Sequence, residues 1–215
     1  MKPIRLYLIC AVFAYLFGGL NPAIMLSKLI YHRDIRTLGS GNPGFTNFKR
    51  TFGGRYAWFV FLLDISKGAL LCLIFCPLFE KIVGSYQLGA AFTGVFAMLG
   101  HSFPVWYRFR GGKGFLVGAT TIFFIDWRVG LIAAAVMLSL LFTVKYMSLS
   151  VIVAAAICPI GLIIFGVDSP AVVWLCLSAV CLMIARHAPN IRRLINGNES
   201  KFHLFDKSDK KTRNN

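Results

Sequence analysis

The chain has 215 residues, 57% of them apolar and only 14% charged, with a formal net charge of +15. A soluble domain carries about 25% charged residues, so the composition excludes an ordinary soluble fold, and the positive charge is not read as a nucleic-acid surface. Long apolar runs separated by basic loops place the chain among polytopic membrane proteins.

About 20 helical residues span the roughly 30 Å hydrocarbon core. The first run, residues 4–30, follows Lys2 and Arg5. That opening mimics a signal peptide, but no A-x-A-like site follows and the run continues through "NPAIMLSKLI", so a retained first helix is expected. The segment "LGSGNPGFTNFKR" (38–50) comes next, then a second span over 56–79. That span holds Asp64 and Lys67, three residues apart and hence on one helix face. Two readings stay open for them: a structural ion pair that pins helices together, or part of a site.

A third span covers 88–107 and runs into "GHSFPVWYRFRGGKG" (100–114). Residues 114–144 are apolar except for "DWR" at 126–128, which predicts two short helices joined by a polar turn. Spans over 151–166 and 171–185 precede "RHAPNIRRLINGNESK" (186–201). The expected fold is therefore an all-α, polytopic integral membrane bundle of about seven transmembrane helices, the fourth and fifth short. Five spans with a re-entrant hairpin are the alternative. One transmembrane domain covers 1–200, followed by a basic, frayed tail at 201–215.

Lys and Arg fall mainly in the loops after the first, third, fifth and last spans, with only Lys2, Arg5, Lys81 and Arg128 opposite. The positive-inside rule then puts the N-terminus outside and the C-terminus in the cytoplasm. All six cysteines (Cys10, Cys72, Cys76, Cys158, Cys176, Cys181) lie in apolar runs, without metal-ligand spacing to a histidine. They read as small packing residues, and no metal or disulfide framework is expected.

On this topology three polar segments share the cytoplasmic face. Glycines let a backbone approach an anion closely, and a helix opening after Gly114 adds its positive end. Lys113 stands between glycines like a phosphate-binding lysine, although "GGKG" alone also describes a flexible basic turn. It is not a Walker A loop. Among the histidines, His32 and His203 read as surface groups and His101 as a packing residue. His187, at the end of the last span and near Asn190, is the acid/base candidate.

The three segments, in this order, resemble the signature segments of bacterial glycerol-3-phosphate acyltransferases that use acyl phosphate. "LLDISKG" and "KYMSLSV" resemble further family positions, and the likeness covers most of the chain. The resemblance implies an acyltransferase of phospholipid synthesis in the bacterial inner membrane, with a cytoplasmic site and neither metal nor coenzyme A. Acyl phosphate and glycerol 3-phosphate would be its substrates, and lysophosphatidic acid and phosphate its products. No cofactor is implied; membrane lipid is the surrounding partner.

On that footing Arg50 and Lys113 bind the phosphate of glycerol 3-phosphate, with Asn190, Arg192 and Lys201 assisting. Ser40, Asn42, Thr46 and Asn47, with the N–H groups of Gly41, Gly44, Gly111, Gly112 and Gly114, receive the acyl phosphate. His187 takes the hydroxyl proton, or a substrate phosphate oxygen does. Glu199 belongs to the site without an assigned role. No partner is set to activate Ser40 as a nucleophile, so direct transfer is expected. Pro43, Phe45, Phe115, Leu116, Ala188 and Pro189 depart from the family pattern and crowd these groups. A transporter for a phosphorylated solute is the competing reading, with Asp64 and Lys67 on its pathway.

Overall fold

The computed structural model describes residues 2–202. Eleven helices occur among them: α1 (Pro3–Gly18), α2 (Pro22–Tyr31), α3 (Phe45–Phe52), α4 (Gly54–Val83), α5 (Tyr86–Ser102), α6 (Phe115–Ile125), α7 (Trp127–Thr143), α8 (Met147–Ala156), α9 (Cys158–Phe165), α10 (Pro170–Arg186) and α11 (Ala188–Ile195). Four stretches are long and apolar enough to cross a bilayer: Pro3–Tyr31, Gly54–Val83, Tyr86–Tyr107 and Met147–Phe165. A fifth arises if α10 and α11, bent by 58° at His187, count as one.

The seven-helix expectation survives at the level of helical segments, with two internal breaks that hydropathy does not show. The first span is interrupted between α1 and α2, where Asn21 caps α2 by accepting from the Ile24 N–H at 3.0 Å and Pro22 takes the first turn. The sixth is stepped between α8 and α9, where Pro159 cannot supply an N–H. α6 and α7 are the expected short pair. At about 1.5 Å per residue the 11-residue α6 covers only about 17 Å, half a bilayer core. The "DWR" turn works as a cap: Asp126 accepts from the Arg128 and Val129 N–H groups at 2.8 and 3.4 Å and pairs with the Arg128 guanidinium at 2.6 Å.

α5 is the central helix, packed on α1, α4, α6 and α10. Its contact with α1 is close because small residues face each other. A β-carbon at Gly100 would run into the Tyr15 carbonyl, and one at Gly18 into Ala97. Packing through small residues is how helices associate where lipid removes the hydrophobic drive. Five of the six cysteines are buried in this packing, and Cys181 is exposed on α10. Many large apolar side chains point outward, such as Leu29, Leu73, Ile164 and Trp174. That is the surface a lipid-facing bundle needs.

Candidate active site

The three polar segments meet in space. The approach to segment one is shaped by Asp34, which caps a single 3-10 turn (Ile35–Thr37) just before it by accepting from the Arg36 N–H at 3.0 Å. The Arg36 guanidinium 2.6 Å from this carboxylate holds its pKa down at about 2. The same guanidinium donates to the Tyr107 carbonyl at 2.9 Å, locking segment one onto segment two. Asn21, at the α1–α2 break, donates to the Pro43 carbonyl at 3.1 Å. Asn47 folds the loop over: its Oδ1 accepts from the Ser40 N–H at 2.9 Å, and its Nδ2 donates to the Leu38 carbonyl at 3.0 Å. Gly39 has φ +56°, and a β-carbon there would strike Asn47 Oδ1. Asn47 thus holds the loop as well as facing the site.

A correction concerns the glycine N–H groups. Gly111 donates to the Ser102 carbonyl at 3.3 Å and Gly112 to the His101 carbonyl at 3.0 Å. Gly41 and Gly44 donate to Leu38 and Asn42. These four amides close their own loops and are not available to an anion. Arg186 finishes the tie, donating through Nε to the Gly112 carbonyl and through Nη2 to the Gly111 carbonyl, both at 3.1 Å. The glycines serve here by letting backbone pass where a side chain would collide. Gly114, at φ +76°, turns directly into α6, whose first N–H groups have no side-chain cap.

Segment three supplies the rest. His187 is buried at the end of α10, with Nδ1 2.8 Å from the Met183 carbonyl. A carbonyl only accepts, so Nδ1 carries the proton and Nε2 keeps a lone pair. Among the described residues a backbone oxygen, not a carboxylate, orients His187. Lys113 donates to Asn190 Oδ1. Burial pushes the Lys113 ammonium down to about 8, against the opposing pull of Glu199. Glu199 accepts from Asn190 at 2.6 Å, Ser148 at 2.7 Å and Arg193 at 2.7 Å. Burial works against its charge, but these donors outweigh it and hold the carboxyl below its ordinary range.

These groups border two cavities. The larger, about 850 Å³, has Ser40, Thr46, Arg50, Lys113, His187 and Asn190 at a polar end and continues between α6, α7, α8 and α10 past Ala133, Cys158 and Val180. The smaller, about 340 Å³, shares Ser40, Asn42, Lys113, Asn190 and Arg193 with it. One polar wall therefore serves two spaces, one of them lined mainly by hydrocarbon.

Most expected residues reach the site. Ser40, Asn42, Gly44, Thr46, Asn47, Arg50, Lys113, Gly114, His187, Asn190 and Glu199 border the larger cavity, and Gly41 and Gly111 the smaller. Gly112 lies behind this surface. Arg192 and Lys201 are exposed and border neither cavity. Arg193 takes the place expected of Arg192, and the signal was helical phase: His187, Asn190 and Arg193 recur every third residue, on one face. Ser148 and Arg186 were also missed as site residues; Ser148 sits in the "KYMSLSV" stretch. Among the described residues no cluster of three or more His, Cys, Asp or Glu side chains is arranged to hold a metal ion.

Comparison with known proteins bears on the family and the fold. The model of the family described as glycerol-3-phosphate acyltransferase matches residues 8–197. A glycerol-3-phosphate acyltransferase of Prochlorococcus marinus (strain MIT 9515) is 33% identical over 204 residues, covering 93% of this chain and 99% of the relative. Two crystal structures of PlsY (YgiH), an integral membrane glycerol 3-phosphate acyltransferase, superimpose. The glycerol 3-phosphate form gives a TM-score of 0.83 at 33% identity, covering 92% of this chain and 96% of that one. The lysophosphatidic acid form gives 0.80 at 32%, covering 92% and 95%.

Proposed function

The chain belongs to the glycerol-3-phosphate acyltransferase family, and from that premise we propose that it moves a fatty acyl group from acyl phosphate to the sn-1 hydroxyl of glycerol 3-phosphate. Lysophosphatidic acid and inorganic phosphate are the products. The family assignment replaces the transporter reading. The site faces the cytoplasm from a bacterial inner membrane, following the charge count of the loops.

The observation that carries the proposal is the polar wall shared by the two cavities. An acyl phosphate needs hydrocarbon space for its tail and a polar seat for its head, and glycerol 3-phosphate needs only the seat. Both are anions, so bringing them together requires cations. Arg50, Lys113 and Arg193 supply them around one opening. Arg50 and Lys113, with Asn190, hold the phosphate of glycerol 3-phosphate. Ser40, Asn42, Thr46 and the N-terminus of α6 hold the donor phosphate and stabilise the charge that gathers on it. The larger cavity's body takes the acyl chain.

The donor is a mixed anhydride and already activated. The acceptor hydroxyl attacks the carbonyl carbon, the C–O bond to phosphate breaks, and phosphate departs with the bonding pair. His187 Nε2 is the protein acceptor for the hydroxyl proton, and a substrate phosphate oxygen is its competitor. Holding both reactants in register supplies several kcal/mol of the barrier reduction. The donor is already activated for direct transfer, so no acyl-enzyme on Ser40 is invoked.

The test is donor choice. The purified chain, given glycerol 3-phosphate and either palmitoyl phosphate or palmitoyl-CoA, should make lysophosphatidate and phosphate from the first only. Product from the thioester alone would sink the donor assignment.

A further inference from the structure

One buried polar cluster is not used by this chemistry. Asp64 and Lys67 on α4 and His101 on α5 are almost wholly buried. Lys67 Nζ lies 2.8 Å from Asp64 Oδ1, 2.8 Å from His101 Nδ1 and 3.1 Å from the Leu20 carbonyl at the α1–α2 break. The ammonium donates to the Leu20 carbonyl and to His101 and is paired by charge with Asp64, whose Oδ1 accepts no hydrogen bond among the described residues. Ammonium only donates, so His101 Nδ1 accepts and Nε2 carries the imidazole proton.

A pair that merely filled a membrane core would be replaceable by packed apolar groups without loss. This one ends on the site. The His101 carbonyl accepts from the Gly112 N–H at 3.0 Å, and the His101 ring lies so close to Gly112 that a β-carbon there would collide with Nε2. Asp64 and His101 also border the larger cavity. Gly112 immediately precedes Lys113.

We propose that Asp64, Lys67 and His101 form a positioning network that braces the Gly111–Gly114 turn from behind and so fixes the Lys113 ammonium for an incoming phosphate. The inference rests on the phosphate role given to Lys113 above. The three residues touch no reacting atom. They act through the turn, and α4, α5 and the α1–α2 break are referenced to one ammonium. Misplacing the turn weakens the hold on the phosphate acceptor more than it slows chemistry, so the signature is in KM rather than kcat.

The experiment uses the full chain in detergent and reads the Kd of glycerol 3-phosphate by calorimetry beside KM and kcat. Gly112→Ala places a methyl against the His101 ring; His101→Ala removes the ring. Each single variant should raise Kd and KM by about tenfold or more, with kcat within about threefold. The double variant should match His101→Ala alone, because the added methyl then meets no ring. Effects that multiply independently would overturn the bracing.

Should His101→Ala not fold, Asp64→Asn with Lys67→Met removes both charges together and leaves no lone charge buried. It should show the same rise in Kd with its melting temperature kept. An unchanged Kd in that folded protein would overturn the proposal equally. Wild-type protein that binds no glycerol 3-phosphate would instead refute the role of Lys113, and the calorimetry separates the two failures.

Discussion

Lys113 offers the sharpest prediction, because its burial sets both a magnitude and a pH limit. Its ammonium donates to Asn190 and borders both cavities. A hydrogen bond to a charged group contributes about 1.5–3 kcal/mol. Lys113→Met keeps the length and removes the charge, so kcat/KM for glycerol 3-phosphate should fall about 10- to 150-fold. The pH profile follows from the lowered pKa of about 8. The group works as a cation, so its contribution is complete below that value and lost above it. At pH 9 only about one-tenth of the free enzyme keeps the ammonium. The substrate phosphate becomes a dianion above about pH 6. The kcat/KM profile should therefore be level between about pH 6 and 8 and fall tenfold per unit above that. Bound phosphate stabilises the ammonium, which moves the limb of kcat to higher pH. Lys113→Arg stays charged throughout and should lose the alkaline limb whatever its plateau. Steady-state rates from pH 6 to 10 decide it. A wild-type profile flat to pH 10, or an identical limb in Lys113→Arg, would refute the reasoning.

Other substitutions test neighbouring assignments. Arg193→Ala should raise KM for glycerol 3-phosphate by about tenfold, from a lost charged contact, while Arg192→Ala stays near wild type because that side chain borders neither cavity; steady-state KM values compare them. His187→Gln should lower kcat by at least about 100-fold if Nε2 is the base, since general-base catalysis contributes about 10²–10⁴-fold. A loss under about tenfold assigns the proton to substrate phosphate. Asn47→Ala leaves the Ser40 N–H without its partner and takes one of two donors from the Leu38 carbonyl. It should lower stability by about 1–3 kcal/mol and impair turnover with both substrates, read from thermal unfolding and rates.

The bundle was legible because apolar run length is a direct physical requirement of a bilayer. The short α6–α7 pair was legible too, since "DWR" is both a polar interruption and a cap. The breaks at Asn21 and between α8 and α9 were not, because a lone proline, with or without a capping residue, inside an apolar run hardly changes its hydropathy. In the site, residue types were readable and their use was not. Gly111 and Gly112 carry the composition of an anion cradle, yet their N–H groups go to Ser102 and His101, partners known only once α5 and the turn are packed. Arg192 and Arg193 are equal in composition and differ only in helical phase. Asp64 and Lys67 were visible as a pair, but their third member lies 34 residues beyond Lys67, on another helix.

The central claim is that three segments distant in the chain build one cationic seat for a phosphate. Titrating glycerol 3-phosphate into purified Arg50→Ala, Lys113→Met and Arg193→Ala, one change per segment, tests it most directly. Each variant should bind at least about tenfold more weakly than wild type while unfolding at the wild-type temperature. Wild-type affinity in any one of the three would remove its segment from the seat and contradict the account.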